Sequence, residues 1–259
     1  MTYWMRRVRA VLPWLVVGLL SSGAVLLARL PAAWVAPQFA RMTQGHVNLV
    51  DPAGSLWRGS ATLMLSAGHD ASGATLLPGR IEWHTAFWPL FTGRVRMRMR
   101  QTQAMPDAIT VDATLRGATV TAGSLAVPAS LLAGLGAPFN TLDLDGKMAL
   151  AWSAWRVFGT DAFGQLTISL DDMSSRVSLV KPLGSYVVAV QAQGASSTLD
   201  LTTRKGPLLL DGHGTISRAS ASFSGTASAT PEQRDSLAGL LNLLGRPTGP
   251  GTVALSFVR

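Results

Sequence analysis

The sequence predicts a mainly β protein: a single N-terminal transmembrane helix followed by an antiparallel β domain, built as a sandwich, barrel or curved groove, with two short covering helices. Three observations carry that prediction. Residues 10–28 read AVLPWLVVGLLSSGAVLLA without a charge. From residue 47 onward, short alternating apolar runs recur between Gly, Pro, Asp and Ser, as strands joined by turns do. Only 14% of the 259 residues are charged, well below the roughly 25% of an ordinary soluble domain. That excludes a disordered chain and favours a membrane-linked, β-rich or exported one.

The apolar run lies between Arg9 and Arg29. As a helix it is about 28 Å long, close to the roughly 30 Å hydrocarbon core of a bilayer. Pro13 falls in its first turn, where a missing N–H costs little, and Trp4 and Trp14 suit the interface. Arg6, Arg7 and Arg9 supply three charges of the net +8 and place the amino terminus in the cytoplasm, although Arg29 and Arg41 reduce the asymmetry. The alternative is a cleaved signal peptide, with an apolar region of about 7 to 15 residues and a small-residue cleavage site. This run is longer and is followed by Arg-Leu-Pro, which favours an uncleaved anchor. Either reading exports everything after Arg29, into the periplasm where there are two membranes. The expected division is a cytoplasmic end (1–9), a transmembrane helix (10–28), a juxtamembrane connector (29–46) and a periplasmic β domain (47–259).

The connector carries Pro31, Trp34, Pro37, Phe39 and Met42, which predicts a short helix or stalk. Strands are expected at 47–50, 60–66, 80–84, 93–101, 109–116, 141–145 and 147–152. Further strands are expected at 165–170, 176–180, 185–191, 197–203, 208–211, 215–225 and 252–258. This spacing fits an antiparallel sandwich, barrel or groove. The two helices fall at 128–135 and 231–244. For the second, Thr230 is placed as N-cap, Pro231 at the first helical position and Gly245 just past the end. Leu237, Leu240, Leu241 and Leu244 form one stripe that should pack on the sheet. Asp143, Asp145 and Gly146 predict an Asp-Gly hairpin turn rather than a calcium loop, which needs more ligands. Segments 79–95 and 146–166 echo one another, each with Gly, a basic residue, a Trp-bearing strand and a second strand opened by Gly. Duplication and chance both explain the echo.

Chemistry is hard to place on this chain. It has no cysteine, hence no disulfide, thiol nucleophile or thiolate metal site. His46, His69, His84 and His213 are isolated, and no nucleophile elbow, phosphate loop or zinc motif is present. No acid pair stands out, so no catalytic residue, metal or cofactor is expected. Beyond the amino terminus the positive charge is spread thinly, which argues against nucleic acid. One cluster is different. Arg94, Arg96, Arg98 and Arg100 alternate with Val95, Met97 and Met99, so a strand puts four guanidinium groups on one face. Such a stripe can bind an acidic protein or lipid headgroups, or it can be a solvated face that discourages aggregation.

Residues 50–61 read VDPAGSLWRGSA. Gly54 and Gly59 allow tight backbone geometry around Trp57, which is placed as an anchor where the connector meets the sheet. The stretch resembles the G-[ST]-[LV]-W-x-G-x-A signature of the type II secretion system protein N family (general secretion pathway protein N). Gly54, Leu56, Trp57 and Gly59 match it, as structural residues first. The order of parts is also similar to that family: one span, a Pro-containing connector, this motif, a Trp-rich segment containing Phe87-Trp88-Pro89-Leu90, and a late Leu-rich helix. The resemblance implies a non-enzymatic inner-membrane component that helps export folded periplasmic proteins across the outer membrane of a Gram-negative bacterium. The implied partners are the inner-membrane platform, the periplasmic connector or the secretin. A second reading is a membrane-anchored β groove, similar to the AsmA-like proteins, that carries or shields phospholipid. Alternating apolar residues can line a groove as well as fill a core.

Overall fold

The computed structural model describes residues 21–23, 29–67, 70–136, 139–217 and 220–258. Apart from residues 21–23, which are helical, the expected membrane span lies outside the described residues. Among the described residues no helix is long and apolar enough to cross a membrane.

A 3-10 turn (Ala32–Trp34) and α1 (Val35–Met42) lead into β1 (Val47–Gly54), β2 (Arg58–Ala67), β3 (Asp70–Leu76) and β4 (Ile81–Ala86). A second 3-10 turn (Trp88–Thr92) joins β4 to β5 (Arg94–Gln101), followed by β6 (Ile109–Thr114), β7 (Gly117–Val120) and β8 (Gly123–Pro128). A 3-10 stretch (Ala129–Leu135) and α2 (Phe139–Leu142) precede β9 (Leu144–Trp152), β10 (Trp155–Phe158) and β11 (Asp161–Ser175). Then come β12 (Gly184–Gly194), β13 (Ser196–Lys205), β14 (Leu208–Ser217) and β15 (Ala221–Ala229). A 3-10 turn (Pro231–Gln233) opens α3 (Arg234–Leu244), which is followed by β16 (Arg246–Gly249) and β17 (Thr252–Val258).

All of these strands join one open antiparallel sheet, and its logic is a meander. β3 and β4 share one side of β2. β7 and β8 face β10 and β9 in a single register, with Val120 opposite Trp155 and Gly123 opposite Trp152. With those pairs taken as interrupted long strands, each strand lies beside its neighbour in sequence. The exception is at the carboxyl end, where β17 lies between β15 and β16. Short connections between sequential strands are the entropically cheap way to build a sheet.

One face of the meander is apolar. Gly59, Trp83, Met99 and Ile109 form one cross-strand row, and Trp152, Leu166, Val190 and Leu199 form another. The buried residues gather on this face in three clusters. One is built on Ala32, Ala61 and Trp83, a second on Leu77, Val127, Leu131 and Met148. The largest packs Leu237, Leu240 and Leu241 of α3 onto Tyr186, Leu208 and Val253.

The structure corrects several expectations. Among the described residues the strands form one open sheet, neither a sandwich nor a closed barrel; the sequence did not separate these because a periodicity of two is the same in all three architectures. α1 is the short helix expected in the connector; beyond it and the two expected covering helices, α2 and the Trp88–Thr92 turn are present. The strand expected at 141–145 is absent: Thr141 and Leu142 belong to α2, and Asp145-Gly146 sits inside β9 rather than in a hairpin turn. There it lies opposite an irregularity in β11, between Asp171 and Ser174. Residues 176–180 form turns, with Leu179 95% exposed. The strand expected at 215–225 is two strands, joined where the Ser220 amide donates to the Ser217 hydroxyl at 3.2 Å. β3, β7, β8, β10 and β16 were not expected. Thr230 is extended, as an N-cap should be, but makes no side-chain capping bond. Gly245 is also extended, at φ −169°; it is there because a Cβ would run into the Ala254 carbonyl, not to supply a left-handed turn.

Candidate interaction face

β5 carries the sequence-predicted arginines as alternation requires. Arg94, Arg96, Arg98 and Arg100 are exposed, while Met97 and Met99 pack against the cluster around Trp83. The face is wider than one strand. Arg98 lies opposite His84, which lies opposite Arg58. Arg96 lies opposite Asp112, which lies opposite Thr119 and then Arg156. Residues directly opposite in an antiparallel ladder point to the same side, so Arg58 and Arg156 belong to this face. Neither stood out in the sequence, because pairing rather than spacing brings them there.

The charges on this face are unevenly compensated. Arg96 Nε donates to Asp112 Oδ1 at 2.7 Å, and that bond and charge raise the Arg96 pKa above its ordinary value. Arg100 lies opposite Glu82. Arg98 has His84 on one side and Thr110 on the other, with no carboxylate directly across. Shallow hollows lined by Arg58, Glu82, His84, Arg98 and Arg100 open between these side chains. Planar guanidinium groups in such a row can grip carboxylates bidentately.

The motif residues lie at the end of β1 and the start of β2. Gly54 takes a left-handed φ of +85° and pairs with Gly59 across the hairpin. The turn between them carries Leu56 and Trp57. Leu56 N–H donates to the Leu30 carbonyl at 2.9 Å, and its own carbonyl accepts from the Thr85 hydroxyl at 2.9 Å. Trp57 is half-buried and meets the Phe87 ring edge-on at 5.2 Å. Gly59 has a further reason that the sequence did not disclose: the Trp83 indole lies over it, and a Cβ there would overlap the ring.

That arrangement recurs. Trp152 covers Gly123 and Trp155 covers Gly164, each indole crossing to the neighbouring strand. All three donate from Nε1 to a backbone carbonyl: Trp83 to Ser55 at 3.2 Å, Trp152 to Thr121 at 3.0 Å and Trp155 to Gln165 at 3.2 Å. The ring supplies the packing that the glycine lacks, and its one polar atom is satisfied.

Beyond Trp57 the aromatic contacts continue outward. Phe87 meets Phe91 at 5.4 Å and Trp88 at 6.4 Å, yet Trp88 is 80% exposed and Phe91 73% exposed. No group of three or more His, Asp or Glu fit to hold a metal occurs among the described residues.

The fold and site together are a β meander that offers a cationic strand face and an exposed aromatic turn. The particular family is given by comparison: the model of the type II secretion system protein N family matches residues 45–256, and the chain belongs to that family. It is thereby a component of the type II secretion machinery, acting in protein transport with other components of that system. No curated protein and no solved structure shows significant similarity to it.

Proposed function

We propose that the chain is a non-enzymatic inner-membrane component of the type II secretion machinery, in which the β domain faces the periplasm and supports export of folded proteins by binding other components. Residues 10–28 are its anchor and residues 1–9 its cytoplasmic end. The observation that carries the reading is the cationic face, where Arg58, Arg94, Arg98 and Arg156 add to the Arg96–Asp112 pair. Its complement is an acidic surface on the inner-membrane platform, the periplasmic connector or the secretin. Membrane proximity is supported by the contact between Leu30 and Leu56. It sets Leu30, two residues after the apolar segment, beside the turn that carries Trp57.

The test is deletion of the gene, with complementation by wild type, Arg98→Glu and Leu209→Glu. Leu209 is a 41% exposed residue of β14, far along the meander from β5. Loss of exoproteins from the medium, with folded cargo held in the periplasm, is expected for the deletion and for Arg98→Glu, and rescue for wild type and Leu209→Glu. Full secretion by the deletion strain would refute the secretion role, and full rescue by Arg98→Glu would remove the cationic face from it.

A further inference from the structure

An almost wholly apolar hollow lies on the apolar face, away from the arginines. It encloses about 480 Å³, within the range of about 300–1,000 Å³ that ligand sites occupy. Its floor is made by Leu170, Val188, Leu199, Leu201, Leu210 and Ile216. Leu240 and Leu244 of α3 form part of its wall at one end. The lining runs along β14 from Leu208 to Ile216, about 27 Å at strand rise.

Four properties together identify an occupant. First, the floor is not sealed: Leu170, Val188, Leu199, Leu201 and Leu210 are only half-buried, and Ile216 is 44% exposed. Second, the trough offers no free polar atom. Tyr186 donates its hydroxyl to the Leu208 carbonyl at 3.1 Å, Ser175 donates to the Leu142 carbonyl, and Ser222 is bonded to Thr215. Third, β12, β13 and β14 are paired on both sides, so their backbone groups are engaged in ladders. An extended polypeptide in the trough would bury its own N–H and C=O groups without partners. Ordered water would also lack its two to four contacts. Fourth, the trough is elongated, and a chain spanning one leaflet, about 15 Å, fits within it.

We infer that this trough binds a fatty acyl chain. A hydrocarbon chain is the one common cellular ligand of this length that needs no polar partner. This site gives the lipid-groove reading definite residues, and it stands independently of the cationic face and of the secretion role. The acyl chain can come from a free fatty acid or from a phospholipid with its headgroup outside.

The test uses the full-length protein in its native membrane, with p-benzoylphenylalanine installed at Leu201 in the trough or at Leu209. Leu209 is an exposed leucine on the opposite face of the neighbouring strand. After irradiation and purification, intact mass spectrometry reads the adduct. Lipid adducts at Leu201 and not at Leu209 are expected, and their mass separates a fatty acid from an intact phospholipid. Ile216, at the exposed end of the trough, is a second site should the Leu201 probe not accumulate. Narrowing the trough with Val188→Phe should lower the Leu201 adduct about tenfold, the effect of displacing two methylenes, while thermal unfolding shows that the domain remains folded. Equal adducts at Leu201 and Leu209, a protein adduct at Leu201, or no adduct at Leu201 and Ile216 would each overturn the inference. None of these readouts depends on secretion.

Discussion

At the residue scale, the tryptophan-over-glycine pairs make the sharpest demand on single side chains. Adding a methyl group at Gly59 forces the Trp83 indole or the strand to move, because the Cβ would overlap the ring and lie 2.8 Å from the Ser55 carbonyl. Gly59→Ala should destabilise the domain by about 1–3 kcal/mol, the range for overpacking a fitted site. Chemical denaturation of the variant beside wild type measures it. Tyr186 makes a different kind of demand. Burial pushes its phenol well above the usual tyrosine range, so the folded state keeps a proton that the unfolded chain releases above pH about 10. There the unfolded state binds fewer protons than the folded one, and unfolding free energy falls as pH rises; below pH about 9 the group contributes no pH dependence. Denaturation of wild type and Tyr186→Phe at pH 8 and pH 11 should show this. The variant loses the 3.1 Å bond to Leu208, about 1 kcal/mol, at pH 8, but has the shallower alkaline loss.

At the element scale, α3 and β5 show what can be read from sequence and what cannot. The stripe of Leu237, Leu240 and Leu241 was legible, because a helix turns its side chains at a fixed angle whatever it packs on. All three are buried against the sheet. Leu237→Ala should therefore cost about 2–5 kcal/mol. Leu243→Ala, at a side chain 60% exposed, should stay within about 0.5 kcal/mol, and parallel thermal melts separate the two. The arginine ladder was legible for the same local reason. Arg58 and Arg156 were not, since they reach the face through register, which no short window contains. Asp145-Gly146 misled because the same dipeptide serves a hairpin turn and an irregular strand equally well. The four-residue strands β7, β10 and β16 are too short for alternation to declare itself. Within β5, Arg98→Glu should leave stability within about 0.5 kcal/mol, as exposed substitutions do, while exoprotein yield falls. A variant that loses both together would mark Arg98 as a folding residue.

At the scale of the whole molecule, the proposed anchor fixes how the open meander would be oriented at a membrane. Trp88 and Phe91 are largely exposed, and large aromatic rings prefer the bilayer interface to water. They adjoin Trp57 through Phe87. The turn bearing Trp57 is tied to Leu30, the second residue after the apolar run, by the Leu56 hydrogen bond and the Pro31–Ser55 bridge. If residues 10–28 span the membrane, this geometry brings the aromatic turn to the bilayer surface, with Arg29, Arg58 and Arg94 close by in the chain to meet anionic headgroups. The chain has no cysteine, so one introduced cysteine labels uniquely. A bimane at Trp88→Cys, in the full-length protein reconstituted in phosphatidylethanolamine–phosphatidylglycerol vesicles, should be quenched by nitroxide-labelled lipid. The same label at Thr226→Cys, on an exposed position of β15, should not. Protease protection of the amino terminus reports the anchor separately. A protected anchor with an unquenched label at residue 88 would leave the domain standing clear of the bilayer, and the exposed aromatics would then belong to a protein contact. A quenched label would make the turn a second membrane attachment, holding the cationic face of β5 at a fixed height for the acidic partner proposed above.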